Sequence, residues 1–175
     1  MLLLLGCAVL LGWSAYESKL KQDGLVKPWV LLALGFVFLG FDEASEMHEL
    51  LTSPTRKLLG GGDLGILFFA WVLPAGIAVL VVLLLFIPFL RKLAGDTRNR
   101  FLFAGAVFLS GAIGCELAGG KVAQWQGSAN LGYFLLTTLE ESLEMVGAIL
   151  FIRALLIHLG SLNTSLRIEF KQPQA

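Results

Sequence analysis

Two acidic motifs hold most of the chemistry this chain can do. The first, Phe41-Asp42-Glu43-Ala44-Ser45-Glu46-Met47-His48-Glu49-Leu50-Leu51, places four carboxylates and an imidazole at the end of a hydrophobic run. The second, Glu140-Glu141-Ser142-Leu143-Glu144, lies inside another long apolar run, and Glu116 closes a third. An ionisable side chain at the centre of a bilayer costs on the order of 3 kcal/mol or more, and those that persist mark ion paths, proton relays or binding sites.

Helical spacing sharpens the pattern. At 100° per residue, Asp42, Glu46 and Glu49 fall within about 60° of one another, and Glu43 sits about 90° to one side. Glu140 and Glu144 share a stripe with Gly147, and Glu141 stands beside it. Gly147 and Gly35 are expected to let these two helices approach closely. So many carboxylates in a low-dielectric site cannot all stay ionised unless a cation, shared protons or basic side chains offset them. Basic partners are scarce. Arg153 points away from the Glu140 stripe, Arg56 lies just past Pro54, and Lys121 is within reach of Glu116.

The shortage favours a metal or protons. Carboxylate ligands suit Mg²⁺, Ca²⁺ or Mn²⁺, and a histidine widens the choice to Fe or Zn. The candidate metal ligands are Asp42, Glu46, Glu49, Glu116, Glu140, Glu141 and Glu144, with His48 as a further member. His48 is rotated about 130° from the stripe centre, so it ligates from another face or serves a local hydrogen-bond network. No Glu-x-x-His pair occurs, which leaves a di-iron bundle only an analogy. His158 lies roughly 21 Å beyond Glu144 along the same helix, too far to join, and reads as an interfacial histidine.

The elements that position these groups must be membrane helices. Of 175 residues, 57% are hydrophobic and 15% charged, with mean hydropathy +0.80; a soluble domain would need more polar surface. The lipid bilayer is the implied solvent and partner. Lys+Arg and Asp+Glu are both 13, so no basic footprint for nucleic acid exists. Cys7 and Cys115 form neither a zinc spacing nor a disulfide framework.

A spanning helix needs roughly 20 apolar residues, which predicts an all-α, polytopic bundle of about five spans in one domain: about 2–16, 29–51, 65–90, 101–119 and 131–160, with a disordered tail at about 168–175. Pro74 and Pro88 predict kinks in the third span. Ala106, Ser110, Gly114 and Ala118 form a small-residue ladder expected to pack inside the chain. Trp29, Trp71 and Trp125 read as interface anchors. A different reading ends the second helix near Phe41 and leaves Asp42–Leu51 as an interfacial turn with solvated charges.

Loop charges set orientation. Lys19, Lys21, Lys27, Arg91, Lys92, Arg98, Arg100, Arg167 and Lys171 fall on one side, against Arg56, Lys57 and Lys121 on the other. This places the N-terminus outside and the C-terminus in the cytoplasm, in the inner (plasma) membrane. Asp42 then lies roughly 16 Å deep, and Glu140 to Glu144 roughly 14 to 20 Å, below the outer boundary. The acidic groups of three helices share one layer, so Asp42 should lie level with Glu144 and Glu46 with Glu140.

The pattern Asp42-Glu43-x4-His48-Glu49, the Cys115-Glu116 pair and Glu140-Glu141-x2-Glu144-Met145-x-Gly147 resembles an uncharacterised group of bacterial multi-span membrane proteins. The resemblance covers helices two to five and implies that the motifs belong together; it adds no chemistry. The expected function is therefore divalent-cation binding in the outer half of the bundle. An ion there could activate water with a glutamate as base. The alternatives are proton or cation translocation and an accessory role in a larger membrane complex, with homo-oligomerisation left open.

Overall fold

The structure, a computed structural model, describes residues 1–162; the expected tail at about 168–175, with Arg167 and Lys171, lies outside them. The described residues form helices joined by short loops and contain no strand. The chain runs α1 (Leu2–Lys21), α2 (Val26–Ser45), a 3₁₀ turn (Met47–Leu51), α3 (Thr52–Leu58), a second 3₁₀ turn (Gly65–Leu67), α4 (Val72–Lys92), α5 (Gly95–Leu109), a π turn (Ser110–Cys115), α6 (Glu116–Gln126) and α7 (Leu131–Ser161).

Four helices are long and apolar enough to cross a membrane: α2, α4, the continuous run Gly95–Gln126 through the π turn, and α7. The expected first span is α1, which continues to Lys21 and ends in charged residues. α1 packs against both α2 and α7. Its buried stripe, Leu4, Cys7, Leu11, Ser14 and Ser18, has the three-to-four residue spacing of a helix with one inward face.

Several boundaries differ from the sequence expectation for local reasons. α2 stops at Ser45 because the side chain of Asp42 turns to bond the next segment, as described below. The third span starts at Val72, not Gly65. Pro74 thus falls in the first helical turn, where a missing N–H costs nothing, and only Pro88 lies in the helix interior. The fourth span extends over both predicted ends, and its π turn inserts an extra residue per turn next to the acidic site.

The tightest packing is between the α5–π–α6 run and α7. A Cβ on Gly147 would lie 2.6 Å from the Phe108 backbone nitrogen, and one on Gly111 would lie 2.7 Å from the Glu140 carbonyl oxygen. Gly147 therefore serves α5, not α2 as expected, and a Cβ on Gly35 would meet nothing within 4 Å. The expected ladder Ala106, Ser110, Gly114 and Ala118 faces outward; the buried one is Ala104, Gly111, Cys115 and Gly119.

An aromatic core closes the end of the bundle away from the acids. Trp29 is 1% exposed, with Phe89 edge-on at 4.8 Å and the His158 ring at 5.1 Å. Trp29 is thus a core residue and not an interface anchor. His158 is held in this core, far along α7 from Glu144. Phe36 stacks on Phe151 at 4.9 Å and fills the space between α2 and α7.

Candidate acidic site at one end of the bundle

The site gathers where α2 ends and α4 begins, with Glu116 at the start of α6 and Glu140 and Glu144 in the first half of α7. Asp42 is the organising residue. Its Oδ1 accepts the backbone N–H of His48 at 2.8 Å, and its Oδ2 pairs with His48 Nδ1 at 2.8 Å. A short polar side chain that bonds nearby backbone competes with helix continuation, and here it caps the 3₁₀ turn instead. Glu46 takes up the reversal with φ +51°, a left-handed conformation uncommon outside glycine. The single stripe Asp42, Glu46 and Glu49 is therefore not formed, because the helix ends between its members.

The His48 ring lies 4.3 Å from Trp71. Trp71 is 8% exposed, and its Nε1 donates to Glu116 Oε1 at 3.0 Å. Trp71 is thus a site residue and not an interface anchor. The signal for it in sequence is thin: one tryptophan at the start of an apolar helix, indistinguishable from an anchor. Trp125 is 69% exposed with Lys121 over its ring at 5.0 Å, so Lys121 is turned to Trp125 and makes no ion pair with Glu116.

Glu116 follows the π turn directly and opens α6. Glu140 on α7 is within electrostatic reach of Glu116. His48 and Glu49 are within electrostatic reach of Glu116, and Glu43 is within reach of both Glu140 and Glu144. Glu43, absent from the ligand set expected from helical spacing, thus belongs to the cluster. Glu46 is exposed, and no hydrogen bond or ion pair ties it in.

Two openings flank the cluster. One, about 180 Å³, is lined by Glu43, Glu141, Glu144, Phe108 and Met145, with Met1, Leu3 and Leu4 opposite and the Met1 amino group within electrostatic reach of Glu144. The other, about 610 Å³, lies beside α3 and has Glu49 on its rim. Among the described residues, the only ion pair is His48 with Asp42. Arg56 donates to the carbonyls of Phe68 at 2.7 Å and Gly62 at 2.9 Å and does not fold back onto a carboxylate. Arg153 is exposed on α7. Cys7 and Cys115 are both free and buried.

The fit of this donor set to a metal can be judged from its geometry. Among the described residues, no three His, Cys, Asp or Glu side chains converge closely enough to chelate an ion directly. Both oxygens of Asp42 are engaged by His48, so Asp42 orients the imidazole. This is the arrangement in which a carboxylate fixes a histidine tautomer and leaves Nε2 free for a metal or a proton. The cleft between Glu43, Glu141 and Glu144 has room for several waters, since each needs roughly 10–15 Å³ of such space.

No curated protein and no solved structure matches the chain. A family model described as "Domain of unknown function (DUF8692)" matches residues 1–159, nearly all of the described chain, including every acidic residue of the site. A match of that extent makes the chain a member of that family.

Proposed function

We propose that this membrane protein binds a hydrated divalent cation in its acidic cleft, through water-mediated contacts to Glu43, Glu141 and Glu144, with Glu116, Glu140 and the Asp42–His48 pair beside it. One observation carries the reading. Three carboxylates from α2 and α7 line a single cleft of about 180 Å³, and no Lys or Arg side chain among the described residues pairs with them. Oxygen-only donors that do not close on one point suit Mg²⁺ or Mn²⁺, which bind through one or two carboxylates and keep several waters. When bound, such an ion offsets the crowded negative charge and polarises an oxygen next to it. Glu43, Glu141 and Glu144 would hold the ion's shell, with the Asp42–His48 pair fixed beside Trp71.

Elemental analysis and Mn²⁺ titration of the detergent-purified protein, prepared without chelator, test this. Wild type is expected to retain about one equivalent of a single divalent metal. Glu144→Gln and Glu141→Gln should each weaken Mn²⁺ binding about tenfold, since losing one charge-assisted contact costs about 1.5 kcal/mol. No metal in wild type and no saturable Mn²⁺ binding would sink the reading.

Glu116 and Glu140 favour a second reading. Neighbouring carboxyls can share a proton, and intramembrane carboxylates form proton relays. In that case, the protein exchanges protons at this end of the bundle without metal. Loop charges support an orientation with this end outside, in a bacterial inner membrane.

A further inference from the structure

The larger opening, beside α3, differs in charge from the acidic cleft. Its walls are Thr52, Ser53, Arg56, Lys57, Phe68 and Phe69, and Glu49 stands at the side that leads to the acidic cluster. Arg56 is fastened in place. Two of its five N–H donors go to the carbonyls of Phe68 and Gly62, and its guanidinium lies 5.2 Å from the Phe68 ring centre. Neutral carbonyls leave the positive charge of an arginine uncompensated. Lys57, one residue on, is exposed and has no ion-pair partner among the described residues.

Two cations, two hydroxyls and two phenyl rings therefore border one space of about 610 Å³, ample for a phosphate group and the carbons next to it. The opening sits where the helices of the bundle end, the level at which a bilayer presents its head groups. Basic side chains at this level attract anionic groups, and phosphate matches both a fixed guanidinium and a mobile ammonium.

We propose that this pocket binds a phosphate-bearing anion: Arg56 and Lys57 carry the charge recognition, Thr52 and Ser53 donate to phosphate oxygens, and Phe68 and Phe69 cover the apolar part. Glu49 sets the limit of the site, because its negative charge repels the anion from the acidic cluster. The proposal stands on this pocket alone and holds whether or not the neighbouring cleft takes a cation.

Binding to detergent-purified protein tests it, with dioctanoyl phosphatidylglycerol, dioctanoyl phosphatidylcholine and inorganic phosphate as probes. The phosphatidylglycerol should bind at least tenfold more tightly than the phosphatidylcholine. Lys57→Gln should remove most of that preference, Thr52→Val should reduce it, and Glu49→Gln should strengthen binding several-fold. Lys92→Gln, at the other end of α4, should change nothing and controls for general charge. Saturable displacement of the lipid by millimolar inorganic phosphate supports the site and names free phosphate as its ligand; failure of phosphate to compete supports it and names the lipid. Equal binding of the two lipids, or no response to Lys57→Gln in protein that retains its wild-type melting temperature, overturns it.

Discussion

Asp42 acts through His48. Its two oxygens are used on one residue six positions along the chain, which turns a supposed ligand into a positioning group and ends α2. Trp71 joins this pair to Glu116 through ring contact on one side and an N–H donor on the other. Trp71→Phe keeps most of the apolar area but removes the donor. A hydrogen bond to a charged acceptor is worth about 1.5–3 kcal/mol, so thermal unfolding in detergent should show a loss of that order. An unchanged melting temperature would mean that the Trp71–Glu116 bond contributes nothing to the fold. The carboxylates and His48 were legible from their types and their apolar surroundings. Trp71 and Glu43 were not, because membership depended on which way each side chain faced once the helix ended.

Two glycines decide how closely α7 meets the α5–π–α6 run. At Gly147 the space for a Cβ is taken by Phe108 backbone, and at Gly111 by the Glu140 carbonyl. Gly111→Ala or Gly147→Ala must push main chain apart, which costs on the order of 1–3 kcal/mol and shifts Glu140 and Glu144 relative to Glu116. Gly105→Ala is the contrast: nothing lies within 4 Å of its Cβ position, and alanine gains up to about 1 kcal/mol in a helix. Melting curves of the three variants should therefore split into two falls and one value equal to or above wild type. Similar values for all three would remove close helix approach as the reason for these glycines. Small-residue spacing predicted a ladder on this helix, but Ala106 and Ser110 already face outward where the π turn begins, and Gly111 and not Gly114 is buried against α7. Spacing marks a stripe of small residues, but it does not say which face of the helix meets a neighbour.

Across the whole molecule, the four long apolar helices and the packed α1 leave polar connections at two ends. The Gly60–Asp63 loop and the Lys92–Gly95 corner cap opposite ends of α4 and its neighbours. In right-side-out vesicles, a membrane-impermeant maleimide should modify cysteine at Gly61 from outside and cysteine at Lys92 only after permeabilisation, in a Cys7→Ser, Cys115→Ser background. Labelling of both from one side would refute a membrane-crossing α4. The metal and anion tests then ask separate questions of the same end of the bundle, where Glu49 belongs to the basic pocket and the acidic cleft is lined by Glu43, Glu141 and Glu144.

Composition and long apolar runs were enough to determine an all-helical membrane protein with its carboxylates near one end, because backbone in a bilayer must satisfy its own hydrogen bonds and charges there are costly. The segment Leu131–Ser161 is legible almost to the residue, since one uninterrupted apolar run admits one helix. Only the tertiary structure decided which acids meet. It ended α2 at Ser45 by the Asp42–His48 bond, turned α6 through a π insertion, and packed α7 through Gly147 against α5. Each of these depends on contacts between residues far apart along the chain or on a break in helical phase, and neither is encoded in local periodicity.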